Sequence, residues 1–307
     1  MSGKSAHLVI LLILLRGVGR TSAGTAVDQR VTFTYVKSPY ADFLFYLFYR
    51  STGQFPGLKS DVPLDDIAPL QDDFFLPNDA AASGITTYAE LYKLASTYDA
   101  RVLLTQELQK GEPHYAPFFS FWQKRIAPTE EEAISTWRKQ DAEWPPIAHL
   151  EQLERLKFPF SSIKIAAVAL NPQANSMQGP PTIFTSIQVP SLAWTIGHEG
   201  THMMLGPRGA DWKKRKHGDE AIRLVIANGG SDYDVEEALC LLMQAKLSIA
   251  YGETPKDYLS SRDFTEPSSR RTLLLALERD WPSYLTSPDT NIADFLIAET
   301  IKTYGHR

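Results

Sequence analysis

Cysteine is almost absent from this 307-residue sequence, and its scarcity excludes two kinds of site. A lone Cys240 cannot form an intrachain disulfide, and it cannot build a metal site from several thiolates. Because Cys240 lies among Leu239, Leu241 and Leu242, we expect a small buried side chain rather than a nucleophile. The folded chain must therefore be held together by packing.

Long hydrophobic runs and blocks of like charge are missing as well. The apolar run Leu8 to Leu15 has 8 residues, whereas about 20 are needed to cross a bilayer. The only dense basic run is Lys213 to Lys216, in a chain with a formal net charge of −5. We therefore predict no nucleic-acid partner and no membrane span in the mature chain.

The N-terminus has the pattern of a secretory signal. Lys4 precedes the apolar run, and small residues follow it from Ser22 to Ala26, where a signal peptidase could cut. We predict a signal peptide over residues 1–26 and hence a secreted or periplasmic protein. A membrane anchor is the alternative, which the shortness of the apolar run disfavours.

The remaining sequence predicts a mostly helical α+β fold. Alternation from Val31 to Tyr35 predicts a short strand, and the β-branched segments Ile163–Leu170 and Thr182–Val189 predict two strands that pair as a hairpin with a long loop. The aromatic run from Phe43 to Tyr49 predicts a buried helix. Gly53 to Ser83, rich in proline, aspartate and glycine, predicts loops.

Helical patterns cover most of the rest of the chain. The capping box Thr129-Glu130-Glu131-Glu132 predicts a helix that begins at Thr129. Near the middle of the sequence, Ser191 is a predicted helix cap, and Gly206-Pro207 is the predicted stop. Later helices are predicted over 220–228, 235–250, 271–279 and 292–304.

The helix after Ser191 carries His198-Glu199-Gly200-Thr201-His202. Two histidines four residues apart project from one face of a helix, so both imidazoles can reach one zinc ion at about 2.0–2.1 Å. Glu199 lies at the edge of that face, where its carboxylate can take a proton from a zinc-activated water without binding the metal. The segment therefore predicts a catalytic metal site.

This motif resembles that of the zincin metallopeptidases, whose shared feature is such a helix packed beside a sheet. The resemblance covers Thr195 to Met204 and a downstream glutamate. The metzincin branch requires glycine and histidine where this chain has Leu205 and Arg208, which leaves the gluzincin branch. The resemblance implies Zn²⁺ as cofactor, a peptide or protein substrate, and a zincin-like catalytic region over 161–307 with a small sheet before the motif helix. Residues 27–160 would form a mainly helical N-terminal region, separate or continuous with it.

In gluzincins a glutamate on a following helix is the third zinc ligand, and water occupies the fourth position. By this resemblance Glu237 completes the site with His198 and His202. Glu220 remains an alternative, although it falls in the first turn of a predicted helix, where the helix dipole already explains an acidic side chain. Glu236 is a second alternative, and it points roughly 100° away from Glu237 around the helix.

Other residues near the motif have two interpretations. Tyr233, four residues before Glu237, could donate a hydrogen bond to the oxyanion, or it could be an ordinary buried tyrosine or part of the N-terminal flank of the helix. His217 could stabilise the same charge, or it could lie in a solvated loop. The carboxylate expected four residues after the third ligand, to orient a histidine, is replaced by Leu241. Asp232 or Asp234 could serve instead.

Two functions of other classes compete with a metallopeptidase. One is a non-catalytic zinc-stabilised or peptide-binding protein on a zincin-like scaffold, and the other is a buried histidine pair without metal. The presence of Glu199 favours catalysis over a non-catalytic zinc protein, because a purely structural zinc site has no use for a general base. We therefore predict a zinc-dependent hydrolase in which Glu199 is the general base and later the proton donor.

Overall fold

A computed structural model describes residues 30–49, 75–170, 175–189, 191–254 and 268–305. The predicted signal peptide lies outside these ranges. The described chain is mostly helical with one small sheet, which confirms the α+β class. It divides into two compact units: the sheet unit contains 32–49, 75–143, 162–170 and 175–189, and the motif unit contains 30–31, 144–161, 191–254 and 268–305.

The sheet of the sheet unit has four strands. They are β1 (Thr32–Lys37), β2 (Ser162–Val168), β3 (Asn175–Gln178) and β4 (Pro181–Ser186), in the order β1-β2-β4-β3. β1 and β4 both run parallel to β2, with Ile165 opposite Ile183. The predicted hairpin of β2 and β4 is therefore wrong. The turn-rich residues before β4 form β3, which takes the antiparallel place beside β4.

Helices cover the rest of the described sheet unit. They are α1 (Pro39–Tyr49), α2 (Phe75–Ser83), α3 (Tyr88–Ala95), α4 (Arg101–Phe121), a π-helical turn (Trp122–Ile126) and α5 (Ala127–Glu143). Residues 43–47 of α1 are buried, as predicted. The predicted capping box is wrong, because the π-helical turn leads directly from α4 into α5. Thr129 lies inside the helix, and its hydroxyl donates to the Ile126 carbonyl.

One part of the predicted loop region is also helical. Of the stretch from Gly53 to Ser83, residues 75–83 form α2, and the residues before it lie outside the described ranges. Ala80, Ala81 and Ala82 are buried in this helix. Alanine is the strongest helix former, and its small side chain lets the helix pack closely on its neighbours. Packing therefore overrides the turn signals here.

A fully buried carboxyl pair lies in the core of the sheet unit. Asp42 accepts hydrogen bonds from the Trp122 indole at 2.9 Å and from the backbone N–H groups of Ala169 and Leu170 at 3.0 and 3.1 Å. Burial and the adjacent Asp42 raise the pKa of Glu130 to about 12. Three N–H donors favour the charged form of Asp42, so Glu130 holds the proton of the pair.

The motif unit is built from helices. They are α6 (Pro146–Glu154), α7 (Leu192–Thr195), a π-helical turn (Ile196–Gly200), α8 (Thr201–Leu205), a 3₁₀ turn (Trp212–Lys214), α9 (Gly218–Ala227), α10 (Asp232–Tyr251), α11 (Ser269–Leu285) and α12 (Ile292–Tyr304). α10 packs against α6, α7, α8 and α11, and its buried residues include Cys240, as predicted. None of the helices in the described ranges combines the length and hydrophobicity needed to cross a membrane.

Candidate metal centre

The two motif histidines lie on one helical stretch, which we call the histidine helix: α7, the π-helical turn Ile196–Gly200 and α8 in succession. Ser191 caps its start by accepting a hydrogen bond from the Trp194 N–H at 3.1 Å, and the helix ends at Leu205 before Gly206, as predicted. A short π-helical turn inside an α-helix is rare and frequently occurs at functional sites. Here it contains the first histidine of the motif.

Close packing of the histidine helix on α10 depends on one glycine. A Cβ atom at Gly197 would lie 2.7 Å from the Gln244 Cα and 2.9 Å from the Met243 carbonyl oxygen, so only glycine fits. Gln244 follows Glu237 by about two helical turns and therefore lies on the same face of α10. This contact brings the face of α10 that carries Glu237 against the histidine helix.

His198, His202 and Glu237 converge at that contact. The Glu237 carboxylate reaches both histidines: Oε1 lies 3.0 Å from His202 Nε2, and Oε2 lies 3.7 Å from His198 Nε2. The three potential ligand atoms all lie within 4.8 Å of one another. The structure thus brings together the three residues that the sequence suggested as metal ligands.

No family model, curated protein or solved structure matches this chain. The resemblance to zincins therefore stays a prediction. What can be said of the site rests on its own geometry and charges.

A second carboxylate holds the other nitrogen of His202. Glu236 Oε1 lies 2.8 Å from His202 Nδ1, and the Trp212 indole donates to Glu236 Oε2 at 3.2 Å. Sequence reasoning considered Glu236 only as a third ligand, and it did not consider Trp212. The one signal in the sequence was an acidic residue directly before Glu237, because consecutive helical residues can reach opposite edges of one ring.

The two aspartates considered for this orienting role have other partners. Asp234 caps α10, accepting the Ser231 N–H at 3.0 Å. Asp232 forms an ion pair with Lys213. The sequence could not distinguish these contacts from the orienting of a ligand, because both aspartates lie in the first turn of α10. Acidic side chains at that place serve as caps as readily as they orient ligands.

Tyr233 and Arg270 lie beside Glu237. The Arg270 guanidinium is 4.0 Å from Glu237 Oε2, 3.3 Å from Asp234 Oδ1 and 5.4 Å from the centre of the Tyr233 ring. Tyr233 is 59% exposed in the first turn of α10, so it is not a buried tyrosine, and its position agrees with the alternative of an N-terminal flank. Partial burial of the phenol, the charge of Glu237 and a hydrogen bond to its carboxylate raise the pKa of Tyr233 to about 12. The hydroxyl is therefore a proton donor at neutral pH.

The electrostatics of the cluster favour a charged Glu237. Burial alone would raise the pKa of Glu237, but hydrogen bonds to His198 and His202 outweigh burial and lower it. Burial likewise opposes a charge on His202, yet contact with the Cys240 sulfur and hydrogen bonds to Glu236 and Glu237 raise its pKa. Burial also raises the pKa of the Cys240 thiol, which therefore stays protonated. The anionic groups that hold His202 are thus the two glutamates.

Glu199 lies in the π-helical turn between the two histidines. Glu199 is only 4% exposed, and within the described ranges its carboxylate makes no hydrogen bond or ion pair. A nearly buried carboxylate without a protein partner has its lone pairs free for another proton donor. This is the condition that a general base requires.

Behind the motif, the Thr201 hydroxyl contacts two acceptors. It lies 2.5 Å from Glu154 Oε1 and 2.7 Å from the Gly197 carbonyl oxygen. A hydroxyl has one hydrogen, so it can make only one full-strength donation, and a protonated Glu154 that donates to the Thr201 oxygen would satisfy both contacts. Burial raises the pKa of Glu154 to about 8, which agrees with a neutral acid.

Glu220 and His217 are paired with each other. His217 Nδ1 lies 2.9 Å from Glu220 Oε2, and both side chains are about half exposed. Glu220 does not belong to the group of potential ligands formed by His198, His202 and Glu237. His217 precedes α9, in agreement with the loop interpretation.

The basic run is largely neutralised by acidic neighbours in the motif unit. Three of its four cations form ion pairs: Lys213 with Asp232, Lys214 with Asp211 and Arg215 with Asp294. Paired cations have little charge left for a phosphate backbone.

Proposed function

We propose that this protein is a zinc-dependent hydrolase of the gluzincin type that cleaves peptide or amide bonds. One observation carries the proposal: His198, His202 and Glu237 approach one another from two separate helices with their potential ligand atoms facing inward. Two imidazoles and one carboxylate are a donor set found in catalytic zinc sites, which keep a further coordination position open.

The distances support zinc as the metal. Ligands at about 2.0–2.1 Å in a tetrahedron lie roughly 3.3 Å from one another. Glu237 Oε1 lies 3.0 Å from His202 Nε2 and Oε2 lies 3.7 Å from His198 Nε2, so the contacts of its two oxygens lie on either side of this value. The lowered pKa of Glu237 adds the negative charge that a cation requires. A zinc ion held there supplies Lewis acidity toward a water molecule and a substrate carbonyl.

In this proposal Glu199 moves the proton. Its carboxylate accepts a proton from the attacking water and then delivers it to the leaving nitrogen, so that the bond between carbonyl carbon and nitrogen breaks without a free amide anion. Its position between the two histidines and its lack of a partner in the described ranges support this role. The Tyr233 hydroxyl, protonated at neutral pH, is the candidate donor to the oxyanion.

The experiment combines metal analysis with one conservative substitution. We expect about one zinc per chain in protein purified without chelators, and we expect His198→Ala or His202→Ala to remove it. Glu199→Gln should keep the zinc but lower the hydrolysis of a peptide library, measured by mass spectrometry, by roughly 10²–10⁴-fold. Glu220→Gln is the matched control and should behave like the wild type.

Two results would contradict the proposal. Metal-free wild-type protein would remove its basis, and unchanged hydrolysis in Glu199→Gln would exclude the general base. A protein that binds zinc, unfolds when the metal is removed and hydrolyses nothing would instead be a non-catalytic zinc-stabilised protein.

The proposed location is secreted or periplasmic. It is supported by the sequence pattern of Lys4, the apolar run and the small residues up to Ala26. Sequencing the N-terminus of exported protein tests it: we expect the mature chain to begin after Ala23 or Ala26. Intact Met1 on exported protein would contradict a cleaved signal.

A further inference from the structure

We propose that Glu236 is a positioning residue of the metal centre, which holds His202 through Nδ1, and that the Trp212 indole in turn fixes the Glu236 carboxylate. The inference rests on the proposed function and assigns a role to a residue that the sequence offered only as a rival ligand. It names the group that replaces the carboxylate missing at Leu241.

The two adjacent glutamates contact opposite nitrogens of one imidazole. Glu236 Oε1 is 2.8 Å from His202 Nδ1, and Glu237 Oε1 is 3.0 Å from His202 Nε2. Since consecutive helical residues point about 100° apart, both can reach the ring only because it lies between them. When a metal replaces the proton on Nε2, the hydrogen bond from Nδ1–H to Glu236 fixes the tautomer whose Nε2 lone pair is directed toward Glu237 and His198.

This geometry argues against Glu236 as a metal ligand. An ion shared by His198, His202 and Glu237 must lie on the Nε2 side of His202, because the contacts of Glu237 are with the Nε2 atoms of both histidines. The contact of Glu236 is on the other side of the ring. Glu236 therefore acts on the metal only through the imidazole.

Trp212 gives the carboxylate a fixed partner. Its side chain is fully buried, and its indole N–H, which can only donate, points to Glu236 Oε2 at 3.2 Å. The next residue, Lys213, forms an ion pair with Asp232 in the first turn of α10. The 3₁₀ turn is thus tied to α10 at two places, and both Glu236 oxygens are engaged.

The same helix therefore supplies a ligand and the group that orients another ligand. Outer hydrogen bonds of this kind fix the tautomer and the ring orientation of a metal-binding histidine, and their loss typically costs 10–100-fold in metal affinity. Without Glu236 the Nδ1 side of the His202 ring would lose its partner, and the ring would regain part of its rotational freedom, which would be lost again on metal binding.

The test compares Glu236→Ala, Glu236→Gln and Trp212→Phe with the control Glu220→Gln. Zinc affinity is measured by competition with a chromophoric chelator, and the Nδ1–H of His202 is followed by ¹⁵N NMR of metal-free protein. We expect Glu236→Ala to lose about 10–100-fold in affinity. Glu236→Gln should lose less, because its amide oxygen can still accept from Nδ1–H, although its NH₂ group cannot accept from the Trp212 N–H. Trp212→Phe should lose a few-fold, and the control should lose nothing.

A second readout separates positioning from general stability. Visible spectra of the cobalt-substituted protein report ligand geometry, so we expect the spectrum of Glu236→Ala to change and that of Glu236→Gln to resemble the wild type. The inference is wrong if Glu236→Ala binds zinc like the wild type. It is also wrong if Glu236→Ala loses the metal as completely as His202→Ala, because Glu236 would then be a ligand.

Failure of the proposed function gives a different pattern. Wild-type protein that binds no zinc would refute the hydrolase but not the hydrogen bond. In that case the NMR measurement decides: loss of the protected Nδ1–H signal in Glu236→Ala supports positioning, and an unchanged signal overturns it.

Discussion

Glu154→Gln should remove the loss of folding stability that we expect when Glu154 ionises at high pH. Glu154 is fully buried at the end of α6, one carboxyl oxygen contacts the Thr201 hydroxyl at 2.5 Å, and the other has no hydrogen-bond partner within the described residues. Burial of this carboxyl raises its pKa and favours the acid form. A glutamine amide has the same shape as that acid and can donate to the same hydroxyl.

The sign of the effect follows from the direction of the shift. Burial raises the pKa of Glu154 from 4.5 to about 8 in the folded protein, whereas the unfolded chain ionises near 4.5. The stability that the neutral acid contributes is therefore complete below pH 4.5 and is lost as the pH rises through 8. At about 1.4 kcal/mol per pKa unit, the loss reaches roughly 5 kcal/mol as an upper bound.

Chemical denaturation in the presence of a chelator, between pH 5 and 8.5, measures this effect. We expect Glu154→Gln to match the wild type within about 1 kcal/mol at pH 5 and to be several kcal/mol more stable at pH 8.5. His202 and Glu237 titrate in both proteins, so their contributions largely cancel in the difference. Glu220→Gln, which changes a half-exposed carboxylate, is the control and should show no such trend. A difference between Glu154→Gln and the wild type that stays constant with pH would refute a neutral Glu154.

Three further predictions concern packing, metal uptake and the buried acid pair. Gly197→Ala should destabilise the protein by about 1–3 kcal/mol in thermal unfolding and weaken zinc binding, because the new Cβ would meet the α10 backbone at 2.7 Å. A variant as stable as the wild type would contradict this close approach. Zinc uptake near pH 7 should release protons, because the pKa of His202 is raised in metal-free protein and an imidazolium cannot bind a metal. Calorimetric heats of zinc binding that do not depend on the buffer would contradict this proton release. Glu130→Gln should be nearly neutral in denaturation experiments, whereas Asp42→Asn should cost about 2–4 kcal/mol, because an amide cannot accept all three N–H donors; equal effects would contradict our placement of the proton.

Local signals in the sequence were sufficient for the histidine helix. Its capping serine, its stop at Gly206 and the spacing of His198 and His202 all depend on backbone geometry within a few residues. The buried helix after Pro39 and the bounds of α12 were likewise predictable, because hydrophobic pattern and caps agree there. The π-helical turn was not predictable, since its residues differ little from those of an α-helix.

Where distant segments compete, the sequence was ambiguous or misleading. The β-branched segments suggested a hairpin, but β1 occupies one side of β2 in parallel register across 130 residues of chain, with Thr32 opposite Ser162, and β3 takes the antiparallel place beside β4. The capping box at Thr129 had the right residues, yet α4 continues through a π-helical turn and removes the need for a cap. In both cases strand pairing or helix packing outweighed the conformational preference of the local sequence.

In the candidate site, too, some residues could be predicted from local sequence and others depend on the tertiary structure. By itself the sequence determined the histidine pair and the intervening Glu199, because helical periodicity fixes their relative positions. It favoured Glu237 over Glu220 and Glu236 through the resemblance and the predicted helix bounds, but the positions of these glutamates depend on how α10 meets the histidine helix. Only the tertiary structure shows that Glu237 lies at the Nε2 atoms of both histidines, through the close approach at Gly197. The contacts of Glu236, Trp212 and Glu154 likewise appear only in the tertiary structure, because each depends on a partner that is remote in sequence.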